Sequence, residues 1–362
     1  MTHLSNIFNI DLLGDMLEQK YVVKRGNSDN TAFIYSYTDK AVYDHVWNDV
    51  TMACRGLIVD HEGNVLARPW RKFFNSNESH AAAVDLSKPL EITDKVDGSL
   101  GILYSLNGAL RVSTRGSLES EQAVKATEML SRYSFDTSRD LLDYFTFMFE
   151  IVYPANRIIL NYGQEEKLVL LGVVFIPTGT YFGPTIAQML LQWNGPVTES
   201  LQLAPGQNVD SLLLRPNAEG IVIRQEDNMI KMKQADYLEL HRAKFSLTNI
   251  TIWEALCRGT RRKDFLKTLP EEFHPYVEKV WTDLKSKYLD ICAEAYNTFY
   301  SIGEIPGAMS SRAAFAAEAK KHGSLTPLLF LCYDGKQLGP TILKSLRPVY
   351  DGGITITGTV NE

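Results

Sequence analysis

The chain has 362 residues, 45% of them hydrophobic and 22% charged, with a net charge of −6 at pH 7. That composition fits a globular protein long enough for two domains, and it disfavours bulk nonspecific binding to nucleic acid while leaving room for a local basic groove. No apolar run is long enough to span a bilayer, Met1-Thr2-His3-Leu4-Ser5 has no basic stretch before an apolar core, and Cys54, Cys257, Cys292 and Cys332 form no Cys-x-x-Cys pair, so the expectation is a reducing cytoplasm without zinc or redox motifs.

Residues 1–20 read as a helix with Ile7, Leu12, Leu13 and Leu17 on one side. Residues 21–23 and 32–37 read as strands around the polar turn 26–30, and 55–59 as a third, closed by the turn 61–64 before 65–67. These are antiparallel hairpins. No Gly-x-Gly-x-x-Gly or Gly-x-x-x-x-Gly-Lys-Ser loop is present, which argues against Rossmann and P-loop folds. Lys95 then sits in a short polar loop between apolar runs, followed by Asp97, Gly98 and Ser99. Residues 101–105 and 110–114 form a hairpin at Asn107-Gly108. A helix is expected over 117–133, with Glu119 and Glu121 at its positive end and Ala123, Ala126, Leu130 and Tyr133 on one face. Residues 145–152 and 167–175 read as buried strands, and 221–224 with 229–232 as another hairpin. From about residue 245 strands give way to helices. Thr248 caps one that carries Trp253 and Leu256. Val277, Val280, Leu284, Tyr288, Ile291 and Ala295 step by three and four along another. A third opens at Ser310 and stops by Gly323. This region reads as a helical module packing its own core.

Several charges sit inside or beside apolar strands. They are Arg55, Lys72, Glu150 within Phe147–Val152, Glu219 before Gly220, and Lys231 and Lys233 flanking Met232. Alternation puts Lys231 and Lys233 on one strand face. Charges are rarely buried without a partner or ligand, so the set points to a polyanion site. Nucleotidyl transfer through lysine uses such parts: a neutral amine attacks an α-phosphorus, cations hold the phosphates, and carboxylates hold a metal or the ribose.

Lys95-Val96-Asp97-Gly98 resembles the nucleotidyl-lysine motif of covalent nucleotidyltransferases, which comprise DNA ligases, RNA ligases and capping enzymes. Ser113–Ser117, Phe149-Glu150, Glu219-Gly220 and Lys231-Met232-Lys233 resemble the later motifs in family order. Cys54-Arg55-Gly56, Arg68-Pro69, Lys72–Asn75, Asn156-Arg157-Ile158 and Asp236-Tyr237 are similar to the bacteriophage RNA ligase 1 family, and the likeness covers most of residues 30–245.

The resemblance implies an α+β fold. An antiparallel-sheet nucleotidyltransferase (adenylyltransferase) domain over 1–243 precedes an all-helical C-terminal domain over 244–362. It implies an ATP-dependent RNA ligase that joins 5′-phosphate and 3′-hydroxyl RNA ends through lysyl-AMP and RNA-adenylate, in repair of RNA such as cleaved tRNA. A functional link to an end-healing kinase/phosphatase fits, as does Mg²⁺ or Mn²⁺ as cofactor, and no membrane partner is expected. Lys95 is the implied nucleophile. Tyr37, Arg55, Lys72 and Phe74 line the ATP site, with one of Phe73 and Phe74 in the core. Glu150 contacts the ribose, Glu219 lies near a metal or the phosphates, Lys231 and Lys233 contact the α-phosphate and pyrophosphate, and Tyr237 assists sealing. Asp97 is either a turn acceptor or a ligand contact. Arg115 stands where the family often has lysine, and Asp264 is the nearest candidate for the family's metal residue beyond the last motif. DNA ligases usually carry arginine where this chain has Leu100. Capping enzymes need an oligonucleotide-binding barrel after the last motif. A noncatalytic RNA-binding relative would have lost motif residues that are present here.

Overall fold

The computed structural model of the protein describes residues 1–85, 88–204, 206–267, 269 and 273–350. The chain divides into two compact units, one ending at Leu238 and the next beginning at Glu239.

The first unit opens with a 3₁₀ turn, Leu4–Asn6, and helix α1 (Ile10–Glu18). The helix expected over 1–20 is thus two pieces. Asn9 breaks it by accepting from the amides of Asp11 and Leu12 as an N-cap. Strands β1 (Val22–Gly26), β2 (Ala32–Tyr37), β3 (Arg55–Asp60) and β4 (Val65–Ala67) pair in that order into an antiparallel sheet. Two short helices, α2 (Asp39–Tyr43) and α3 (Asp49–Ala53), stand between β2 and β3, capped by Thr38 and Asn48. Five residues are too few for a periodic signal, so only the caps announced them.

Next come β5 (Phe74–Asn75), β6 (Glu91–Asp94), β7 (Ser99–Leu106) and β8 (Ala109–Thr114). At the β7–β8 turn Asn107 and Gly108 both have positive φ, as a two-residue hairpin requires. Helix α4 (Glu121–Met129) starts at its cap Ser120, later than expected. Glu119 is drawn away to the amide and hydroxyl of Ser28. Helix α5 (Arg139–Tyr144), strands β9 (Phe145–Val152), β10 (Lys167–Phe175) and β11 (Tyr181–Phe182), helix α6 (Pro184–Leu191), and strands β12 (Ser200–Leu201), β13 (Gly220–Gln225) and β14 (Asn228–Lys233) complete this unit.

The later strands form two five-stranded sheets, ordered β11-β10-β9-β7-β8 and β12-β6-β13-β14-β5. All pairs are antiparallel except β14 with β5. The alternation of β9 sets up the site. Phe147, Phe149 and Ile151 enter a core with Ala126, Met129 and Leu170. Met148, Glu150 and Val152 therefore occupy the other face. On β14, Ile230 joins a core with Ile92, Ile221 and Ile223. Met229, Lys231 and Lys233 share the opposite face, and the register places Val222 beside Lys231 and Gly220 beside Lys233.

Helix α7 (Ala235–Ser246) carries the chain into the second unit, which holds α8 (Asn249–Cys257), α9 (Arg262–Leu266), α10 (His274–Gly303), α11 (Arg312–Ala319), α12 (Thr326–Tyr333) and α13 (Gly339–Ser345). Among the described residues it contains no strand. Thr248 forms a capping box with Thr251. Helix α10 buries Val277, Trp281, Leu284, Ala295 and Ile302 at helical spacing. The fold class is α+β, antiparallel sheets followed by helices, as expected.

Candidate active site

Lys95 follows the end of β6. Its Nζ lies 2.8 Å from one oxygen of Glu219, and Lys233 Nζ lies 2.8 Å from the other. Glu219 is only 2% exposed. Two ammonium groups, one on each oxygen, compensate this buried carboxylate. Burial pulls Lys95 down, but Glu219, Glu150 and Asp97 outweigh it and hold the ammonium above its ordinary value. At rest, Lys95 is a cation and not a nucleophile.

Asp97 is 3% exposed. One of its carboxylate oxygens accepts from the amides of Ile159 and Leu160, both at 2.7 Å. The other accepts from the Tyr237 hydroxyl at 2.7 Å. Burial, with Glu219 and Asp97 nearby, raises the Tyr237 phenol, which keeps it a donor. Asp97 is therefore a structural acceptor, but its partners are long-range, 62, 63 and 140 residues away, rather than in its own turn. Gly98 is required by close approach: a Cβ there would lie 2.6 Å from the Ile151 carbonyl oxygen and 2.9 Å from Glu150 Cγ. The lysine loop therefore lies directly on β9.

Beside Lys95 is a cavity of about 220 Å³ lined by Arg55, Trp70, Leu100, Glu150, Met229 and Lys231, among others. Neither Glu150 nor Lys231 makes a side-chain hydrogen bond or ion pair among the described residues. Burial pushes the Glu150 carboxyl up to about 8, although Lys95 and Arg55 oppose it. Burial, reinforced by Lys72, Lys95, Arg55 and Lys233, brings the Lys231 ammonium down to about 7. Arg55 stacks over Phe73 and Trp70, 5.3 and 5.9 Å from the ring centroids. Its Nη1 is buried without a hydrogen-bond partner. The cavity therefore combines the paired Lys95, an unpaired Lys231 ammonium, an Arg55 guanidinium with one unpartnered nitrogen, one carboxyl and an apolar wall.

A second cavity, of about 530 Å³, shares Trp70, Phe73, Tyr181 and Met229 with the first and is also lined by Arg68 and Lys72. Lys72 Nζ stands 4.4 Å from the Phe74 ring centroid and 5.4 Å from that of Trp47. The Arg115 guanidinium lies 4.7 Å over the Tyr37 ring. Tyr37, Lys72, Phe74 and Arg115 thus form an aromatic-and-cation cluster together with Trp47.

Of the expected residues, Arg55, Lys95, Glu150 and Lys231 line the first cavity. Glu219 and Lys233 back it through the Lys95 pair, and Tyr237 reaches it through Asp97. Phe74 is a departure: it is 3% exposed and lines the second cavity, whereas Phe73 lines both. Asp264 lies on α9 and pairs with Lys267 at 3.7 Å. Among the described residues no group of three or more His, Cys, Asp or Glu side chains is arranged to hold a metal ion.

A family model for RNA ligases matches residues 53–239, just over half of the chain. The chain belongs to the RNA ligase family. The match takes in the lysine loop and every cavity-lining residue named above, while Tyr37 and Trp47 of the outer cluster precede it. The ligase is 22% identical over 360 residues to an RNA ligase of Rhodothermus phage RM378, covering 79% of this chain and 80% of that one. It is 26% identical over 263 residues to a putative bifunctional polynucleotide kinase/RNA ligase of Autographa californica nuclear polyhedrosis virus, covering 63% of this chain but only 37% of that protein. Among solved structures, an archaeal ATP-dependent RNA ligase aligns with a TM-score of 0.46 and 12% identity, covering 90% of this chain and 78% of that one.

Two residues of the ligase's site were not among those expected. Trp70 lines the first cavity, together with Phe73 of the expected Phe73/Phe74 split, and Trp47 packs edge-on against Tyr37 and Phe74. For Trp70 the available signal was its place between Arg68-Pro69 and Lys72, inside the upstream signature.

Proposed function

We propose that this RNA ligase draws on ATP and seals RNA ends through Lys95 in three steps. Lys95 Nζ attacks the α-phosphorus of ATP, a P–N bond forms, and pyrophosphate leaves. An oxygen of an RNA 5′-phosphate then takes the AMP from Lys95. Finally a 3′-hydroxyl attacks that 5′-phosphorus, a phosphodiester forms, and AMP leaves. The observation that carries this reading is the setting of Lys95, on a cavity where Lys231 and Arg55 present cationic groups without acidic partners. Such a cavity fits a polyphosphate.

Before attack, Lys95 must release a proton and part from Glu219. Whatever neutralises Glu219 and Glu150 favours that release, because those carboxylates hold the pKa up. Glu150, an oxygen donor facing the cavity without a partner, fits a divalent cation or its waters, as does Glu219 once Lys95 leaves it. Mg²⁺ or Mn²⁺ bound there would supply charge against the triphosphate. Lys231 and Lys233 hold the α-phosphate and the departing pyrophosphate, while Arg55 and Lys72 hold the outer phosphates or ribose. Glu150 is also within the cavity to meet the ribose hydroxyls. Tyr37 and Phe74 pack the outer cluster, where Arg115 supplies a permanent charge but no readily shared proton. Tyr237 acts in sealing by holding Asp97, and with it the lysine loop.

The substrates in this reading are RNA ends bearing 5′-phosphate and 3′-hydroxyl, cleaved tRNA among them. Residues 1–243 serve as the adenylyltransferase domain and residues 244–362 help select the RNA. A link to end healing by a kinase and phosphatase belongs to this reading, and its kinase half is supported by the baculovirus relative, whose name joins kinase and ligase. No helix among the described residues is long and apolar enough to cross a membrane, and action in the cytoplasm is consistent with that.

Incubation with α-³²P-ATP tests the reading. Covalent label from ATP but not GTP, released by acid and absent from Lys95→Ala, is the expected result. Absence of label from wild type with both Mg²⁺ and Mn²⁺ would overturn it.

A further inference from the structure

The cavity beside Lys95 is graded. Along one face of β14, Met229 is followed by Lys231 and Lys233, two residues apart each time. Lys233 is tied to Glu219 and Lys95 at the charged end. Met229 belongs at the other end to an apolar cluster with Trp70, Leu100, Leu171 and Tyr181. A nucleotide with its α-phosphorus at Lys95 would therefore lay its base against Trp70. Sheet faces of Leu, Met and aromatic side chains suit the flat ring of a base, but they do not tell one purine from another.

Trp70 carries a polar atom with no use inside the protein. The residue is 9% exposed, and its indole Nε1 is buried without a hydrogen-bond partner. Phe73 and Tyr181 meet its ring edge-on, with centroids 6.1 and 5.3 Å away at interplanar angles of 77° and 73°. On its core side are Met148 and Val174, which offer no oxygen or nitrogen acceptor. Its open sides are the cavity beside Lys95 and the second cavity, both of which it lines. A buried, unsatisfied N–H is costly and is usually explained by a ligand or a function. Tyr181 is already committed as a donor, to the Leu171 carbonyl at 3.2 Å.

We propose that Trp70 is a specificity-determining residue whose indole N–H donates a hydrogen bond to N1 of the adenine of ATP. Adenine N1 is an acceptor, whereas guanine N1 carries a proton and would set donor against donor. One side chain would thus both meet the edge of the base and exclude guanine. The inference deepens the proposed use of ATP and rests on that reading.

The test pairs Trp70→Phe, which keeps an aromatic ring and removes the donor, with 1-deaza-ATP, which keeps the purine shape and removes the acceptor. Lysyl-nucleotide formation is followed at varied nucleotide concentration. Wild type should use 1-deaza-ATP with a KM about fivefold above that for ATP, the worth of one neutral hydrogen bond. Trp70→Phe should raise KM for ATP by a similar factor, with the loss falling mainly on KM, and should treat ATP and 1-deaza-ATP alike. Its preference for ATP over GTP should narrow. Equal KM values for the two nucleotides in wild type would overturn the proposal without any variant being needed. So would an undiminished ATP to 1-deaza-ATP ratio in a folded Trp70→Phe protein. Either result, obtained with normal labelling by ATP, removes the role of Trp70 alone, whereas failure to label with ATP removes the ATP reading itself.

Discussion

Charges around Lys95 are paired, while those around Lys231 are not. At the first end, Glu219 holds Lys95 and Lys233, and Asp97 accepts three hydrogen bonds. At the second, Glu150 and Lys231 stand without hydrogen-bonded partners among the described residues, and Arg55 Nη1 and Trp70 Nε1 are likewise buried and unsatisfied. The same cavity thus has a self-sufficient end and a frustrated end. Buried charge is tolerated where it is compensated, and uncompensated charge marks where a ligand does the compensating. The paired end stores the nucleophile as an ammonium. The unpaired end is where binding gains most. Mutations at the two ends should therefore differ in kind, and even in sign.

The largest effect is expected at Lys95. Lys95→Ala should reduce covalent labelling by ATP to background, since it removes the amine that attacks the α-phosphorus. It should still seal RNA that is supplied already adenylylated, because the AMP is then in place. Failure on that substrate alongside normal folding would give Lys95 a further role in sealing.

Glu219→Ala should come next, as a loss of stability. It leaves Lys95 and Lys233 as neighbouring, largely buried cations, and breaking a buried pair from one side costs about 3–5 kcal/mol. A urea unfolding curve would show it as a lower midpoint at unchanged slope. A change below 1 kcal/mol would mean that the paired end is not held together by this carboxylate.

Much of this contrast was legible before the fold was known, and the reason is periodicity. Glu150 in a strand of Phe147, Phe149 and Ile151, and Lys231 and Lys233 astride Met232, are polar breaks in a period of two, so they had to share faces. The lysine loop announced itself through Asp97 and Gly98. The partners of Asp97 were not legible. Tyr237 lies 140 residues away, and no local pattern encodes such a contact. Helices α2 and α3 were missed because five residues leave no amphipathic trace. Glu119 was placed on a helix end, but a tertiary bond to Ser28 outbid the dipole. Trp70 carries no pattern of its own in the sequence, and its buried N–H shows only once the neighbours are known.

At the unpaired end the sign should reverse. The Glu150 carboxyl is held up to about 8 in the folded protein, against about 4.3 for an unfolded chain. Between those values the folded state keeps a proton that the unfolded state has released. This group's contribution to stability therefore falls as pH rises from about 4.3 to about 8, and the penalty is complete above that range. Glu150→Gln never ionises, so it should be more stable than wild type by several kcal/mol at pH 8.5 and nearly equal to it at pH 4. A stability difference that is the same at both pH values would remove Glu150 from the list of frustrated groups.

The smallest effect should be a pH dependence of ATP binding that belongs to Lys231. Its folded value of about 7 is depressed by burial and by four neighbouring cations. A triphosphate favours the charged form, so the bound state has a higher value than the free one. Binding then takes up a proton at any pH between the two values, and affinity falls as pH rises through that window, by at most about tenfold per unit. Lys231→Arg keeps its charge throughout, so its affinity should lack this decline, although guanidinium geometry will shift its absolute level. ATP titrates on its own near neutrality, and that contribution is common to both proteins. The ratio of the two dissociation constants, measured calorimetrically from pH 6.5 to 9, therefore isolates Lys231. A ratio that stays constant across that range would mean the lysine is charged at every pH. The unpaired end would then be compensated by something other than its bound nucleotide.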